Sequence, residues 1–129
     1  MSKYYFNTTI ELSFNDAVAK VTEELKKEGF GVLTEIDMAG TLKKKLDVDM
    51  RPYKILGACN PPFAHKAVQA DEHIGLYLPC NVIVRDVGDG KTEVAAVDPL
   101  VAMSQVENPD LEPIAVEVQA KLQRVIAAL

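Results

Sequence analysis

The chain has 129 residues, 48% hydrophobic and 26% charged, which fits one globular domain, 1–129, with a core of its own. Its 14 Lys and Arg against 19 Asp and Glu leave a net charge of −5, which excludes the concentrated basic face that nucleic-acid binding needs. No apolar run reaches membrane-spanning length, MSKYYFNTT carries no charged-then-apolar leader, and two cysteines are too few for a disulfide framework; a cytoplasmic protein with reduced thiols is expected.

Lys3 to Leu12 is rich in aromatic and β-branched residues and predicts a first strand. Ser13 followed by Asp16 marks a helix start. Phe14, Ala17, Val18, Val21 and Leu25 then line one helical face, and Gly29 takes the C′ position. Phe30 to Ile36 predicts the second strand, after which Asp37 caps a short helix through Leu46 with Met38, Leu42 and Leu46 on its apolar side. Lys43, Lys44 and Lys45 fall at its C-terminal end, where cations complement the helix dipole, so a solvated end explains them as well as an anion site does.

Tyr53 to Ala58 predicts the third strand, and Pro61-Pro62 stops it and opens a helix through Glu72. Leu76 to Val87 and Lys91 to Val97 alternate as strands around the hairpin signal Gly88-Asp89-Gly90, with Pro79 making the start of the first arm irregular. After Asp98-Pro99, LVAMSQVEN reads as loop or partial helix. A final helix keeps helical apolar spacing through Leu111, Ile114, Ala115, Val118, Leu122, Val125, Ile126 and Leu129.

This order predicts an α+β two-layer sandwich, a sheet of about five strands with helices on one face. Doubly wound α/β is the alternative, but the chain has neither GxGxxG nor GxxxxGK[ST]. An apolar strip left on the last helix is the expected seam of a homodimer.

Chemistry concentrates at LGACNPPFAH and LPCN, where each cysteine precedes an asparagine: Cys59-Asn60 and Cys80-Asn81. Cys59 sits between a strand and a helix start, whose free N–H groups lower a thiol's pKa. If the strand carrying Cys80 runs parallel to the third strand, the intervening helix brings Cys80 back beside Cys59. With His65 on that helix, three N and S ligands with one open position suit zinc or another soft divalent metal, although no CxxC or HxxxH is present. Two facing thiols also suit reversible disulfide chemistry or a held sulfur species. Buried cysteines with purely structural roles are the third reading. The ligand-site candidates are thus Cys59, Asn60, Cys80, Asn81 and His65. Asp98 at a sheet end, or Glu11 with Glu35 as paired carboxylates, offer acid/base alternatives; no serine has a GxSxG context.

The run GFGVLTEIDMAGTLKKKLDVDMRPYKILGACNPPFAHKA, then LYLPCNVIVRD and AAVDP, resembles the bacterial and archaeal family called domain of unknown function 302. The resemblance extends from the first helix to Pro99. Its motif positions map onto Gly57, Cys59, Asn60, Pro61, Pro79, Cys80 and Asn81. It implies a small two-layer α+β domain, standing alone in its chain as a homodimer, and brings no activity, substrate or catalytic residue with it. The function expected is binding of a small molecule, metal or sulfur species around the Cys-Asn pairs. A thiol-dependent redox enzyme and a structural or interaction domain are the alternatives.

Overall fold

Ser13 decides where the first strand gives way to the first helix. In the computed structural model, which describes residues 3–129, β1 spans Tyr5–Ile10 and α1 spans Phe14–Lys27. The Ser13 hydroxyl accepts a hydrogen bond from the Asp16 N–H at 3.2 Å, satisfying a donor that a helix start leaves free. Gly29, at φ +85°, then turns the chain out of the helix. β2 (Gly31–Asp37) leads into α2 (Met38–Leu46) through Asp37, whose carboxylate accepts from the Gly40 N–H at 2.9 Å. β3 (Tyr53–Cys59) stops at Asn60, and Pro61 and Pro62 open α3 (Pro61–Ala70), where their missing N–H groups cost nothing.

β4 (Cys80–Gly88) and β5 (Lys91–Val97) form a hairpin over Asp89 and Gly90, both at positive φ, the turn whose twist matches its strands. α4 (Pro99–Ala102) and α5 (Glu112–Ala127) follow. Leu76 to Pro79, expected within a strand, lies outside the sheet. Ile74–Tyr77 forms a 3₁₀ turn instead, because Ile74, 1% exposed, packs with Ala67 and Leu111 in a satellite cluster beside the main core.

The sheet order is β1-β5-β4-β3-β2, and every neighbouring pair is antiparallel. The parallel pairing assumed for the third strand and its successor is therefore corrected: β3 and β4 run antiparallel, with Ala58 opposite Cys80. Residues 60–79 return the chain to the end of the sheet it had just left.

α1 and α5 cover one face of this sheet. Val21 and Leu25 from α1, and Leu122 and Val125 from α5, pack against Leu56, Val82, Val84 and Val94, all essentially inaccessible to water. This is the two-layer α+β sandwich expected from the order of elements. The apolar stripe of the last helix, expected to leave a dimer seam, is consumed by this core; Val116, 46% exposed, is the large apolar residue α5 presents to solvent. α2, by contrast, buries no residue. Among the described residues, no helix is long and apolar enough to cross a membrane.

The face assignment of α5 is testable by urea denaturation. Leu122→Ala should cost about 2–5 kcal/mol by removing packed volume, whereas Val116→Ala should stay within about 0.5 kcal/mol. Similar effects at the two positions would contradict the assignment.

Candidate functional site

Side chains along a strand alternate between faces, and the Ala58–Cys80 register applies that rule to the second Cys-Asn pair. Cys80 falls in line with Val82 and Val84 on the helix-covered face and is 8% exposed. Asn81 points to the opposite, open face and is exposed. Cys59, the residue after Ala58, closes β3 and is half-buried. Both thiols are free and both line one cavity of about 40 Å³. The cysteines thus share one end of the sheet, and the cause is antiparallel pairing rather than a parallel crossover.

Asn60 is buried, at 7% exposure, without capping α3 through its side chain. Its Nδ2 donates to the Glu28 carbonyl at 3.1 Å, fastening the start of α3 to the end of α1. Gly29 leaves the room: a Cβ there would lie 3.2 Å from that same nitrogen. Gly57 has a comparable reason to lack a side chain, since a Cβ would meet the Thr34 hydroxyl and come within 2.8 Å of the Pro79 ring.

The thiol cavity limits its own chemistry. About 40 Å³ accommodates roughly one water, far below the ~300 Å³ or more typical of organic-ligand sites. Burial, with Cys59 nearby, pushes the Cys80 thiol up to about 11, so Cys80 is held protonated at neutral pH. His65 is exposed and does not line the cavity, because α3 turns Phe63, Ala64 and Ala67 inward. Among the described residues, no three His, Cys, Asp or Glu side chains are grouped to hold a metal ion. The expected zinc ligand set of Cys59, Cys80 and His65 is therefore not assembled.

The other sequence candidates resolve into structural roles. Asp98 caps α4, accepting from the Leu100 N–H at 3.0 Å and from Gln119 Nε2 at 3.1 Å. Glu35 pairs with Lys54 at 2.6 Å, and Glu11 follows β1 at the other edge of the sheet from β2, four strand spacings or about 19 Å away across the sheet alone. Lys43 is occupied by Asp47 and Asp49, each at 3.0 Å, which raise its pKa.

The open face of the sheet carries a larger feature that the sequence reading missed. The strand registers set Ile36, Ile55, Ile83, Ala95 and Asn7 in one row across the sheet, with Tyr53, Arg85, Glu93 and Thr9 in the next. A wet antiparallel face ordinarily alternates to polar residues; here the row from Ile36 to Ala95 is apolar. A groove of about 400 Å³ lies on this face, lined by Tyr5, Tyr53, Asn81, Ile83, Arg85 and Glu93 among others. Glu93 accepts from Arg85 Nε and, at 2.8 Å, from Asn7 Nδ2. Burial alone would raise its pKa, but the Asn7 and Arg85 hydrogen bonds and the Arg85 charge outweigh that and hold the carboxyl below its ordinary value. Asn7 Oδ1 in turn accepts from Lys3 Nζ at 3.4 Å. One signal for this site was present: the Asp-Gly turn fixes a register in which Arg85 and Glu93 face each other.

Residues 6–129 match the family model described as Domain of unknown function DUF302. The crystal structure of an uncharacterized conserved DUF302 protein from Bacillus stearothermophilus is similar at a TM-score of 0.89, with 26% sequence identity over 98% of each chain. No match is found among curated proteins.

The elevated Cys80 pKa has a consequence for stability. The unfolded thiol ionises near 9.0 and the folded one near 11, so the folded state retains a proton that the unfolded state gives up. Stability should fall as pH rises from 9 towards 11 in the wild type by about 2–3 kcal/mol more than in Cys80→Ala, measured by denaturation at each pH. Parallel curves for the two proteins would contradict the buried, protonated thiol.

Proposed function

The chain belongs to the DUF302 family, and from that premise we propose that it is a homodimeric small-ligand-binding protein whose site is the groove on the open sheet face. The observation that carries this reading is the apolar row from Ile36 through Ile55 and Ile83 to Ala95, which no helix covers and in which Ile36 is exposed, Ile55 and Ile83 are half-buried and Ala95 is buried, beside a groove of about 400 Å³. A second copy stacking the same face about a two-fold axis would bury that row on both sides and roof the groove. α2 supports the same partner. A helix of nine residues is marginal without tertiary packing, yet α2 is only half-buried along Met38 to Leu42 and has no fully buried residue, and Leu46, Val48 and Met50 after it are 66%, 42% and 43% exposed.

The Cys-Asn pairs contribute to this site indirectly. Cys80 packs into the core and so fixes the register that presents Asn81 to the groove; Cys59 and Asn60 hold the adjoining junction. A thiol redox enzyme using both cysteines needs an ionised, accessible sulfur at each, and the buried Cys80 does not supply one. A metal role lacks a ligand cluster among the described residues. Free cysteines suit a reducing compartment, and we place the protein in the cytoplasm.

Sedimentation equilibrium tests the assembly. Wild type should sediment at twice the chain mass, and Ile83→Glu, which would bury an unpaired carboxylate in the interface, should weaken association by about a hundredfold or more. Val116→Glu, on the opposite layer, should leave it unchanged, with circular dichroism verifying the fold of both variants. A monomeric wild type at millimolar concentration, or an intact Ile83→Glu dimer, would overturn the reading.

A further inference from the structure

Arg85 and Glu93, the two charged residues lining the groove, offset each other, and Lys3, outside the lining, joins them through Asn7, so that the linked trio carries one excess positive charge in a protein whose net charge is −5. Glu93 has no capacity to spare. Its side chain is 13% exposed, one oxygen is occupied by Arg85 and the other by Asn7. Arg85 is only partly used: its Nε is held by Glu93, its side chain is 45% exposed, and among the described residues no hydrogen bond engages its two terminal nitrogens. A guanidinium anchored through Nε by a half-buried carboxylate has its orientation set in advance, which reduces the ordering cost of binding. Beside it, Tyr5, Tyr53 and Ile83 supply apolar and aromatic walls, and Asn81 adds a neutral donor and acceptor.

We propose that this groove binds a small organic monocarboxylate with a flat apolar body, its carboxylate held by the terminal nitrogens of Arg85 and its body against the tyrosines. The inference rests on the groove being the binding site, and it names the chemistry of the ligand. The paired N–H donors of a guanidinium match the geometry of a carboxylate. A single excess positive charge balances a monoanion and leaves a phosphate dianion under-compensated. The volume of about 400 Å³ suits a compact organic molecule and far exceeds an inorganic ion.

Amide NMR titrations of the full chain with benzoate, and with benzamide as its neutral counterpart, test this. Benzoate should saturably shift the signals of Asn81, Ile83 and Arg85 and bind about tenfold or more tightly than benzamide. Arg85→Gln should abolish that preference, and Arg85→Lys should restore only part of it, with the sedimentation of both variants recorded alongside. Equal binding of the two probes would overturn the carboxylate assignment and leave the groove standing. If neither probe moves these signals at millimolar concentration, the groove reading fails and takes the assignment with it. If Arg85→Gln weakens the dimer but leaves benzoate affinity unchanged, the guanidinium serves the partner subunit and the assignment is overturned.

Discussion

The antiparallel register between β3 and β4 sets Ala58 opposite Cys80, and from that pairing the two faces of the sheet take their characters. Counting from it, Leu56, Val82 and Val84 fall under α1 and α5, while Ile55, Gly57, Asn81 and Ile83 fall on the uncovered side. A slip of one residue would exchange these sets, exposing the core and burying Asn81 and Arg85. Cys80 helps to hold the register because it is small, apolar when protonated, and enclosed with Phe30 and Val118. Packing at this thiol therefore supports the register on which the groove is built.

The junction at the end of β3 reinforces the arrangement. Asn60 spends a buried amide on the Glu28 carbonyl, a bond whose loss would leave polar groups unpaired away from water. Gly29 and Gly57 lack side chains where Asn60 and Pro79 need the space. With one layer fixed in this way, the other face is a rigid platform on which Arg85 is aligned by Glu93, and Glu93 by Asn7. Sites built on strands hold their geometry better than sites on loops, and every polar groove residue in that chain of contacts lies on β1, β4 or β5.

Local signals in the sequence were informative wherever local physics decides the outcome. Ser13, Gly29, Asp37 and Pro61 mark helix boundaries because caps and breakers act over a few residues, and all four act as expected. Strand direction is not local. Whether β4 runs parallel or antiparallel to β3 depends on how residues 60–79 turn, and within that segment Ile74 buries against Ala67 and against Leu111, 37 residues further on, a contact that composition does not reveal. The same segment lost its predicted strand at Leu76 for that reason. The ligand set of Cys59, Cys80 and His65 is not assembled because helical phase turns His65 outward, whereas the facing of Arg85 and Glu93 follows from the register that the hairpin turn sets.

What the open face does follows from whether a second copy covers it. Hydroxyl-radical footprinting across a dilution series reads this directly, since it reports side-chain exposure residue by residue as the protein associates. Tyr53, Ile55 and Ile83 are expected to become protected as concentration rises, while Val116 on the opposite layer keeps its reactivity throughout. Protection at Val116 with Ile55 and Ile83 unchanged, or no concentration dependence at any of these positions, would contradict a functional face built on the open side of the sheet.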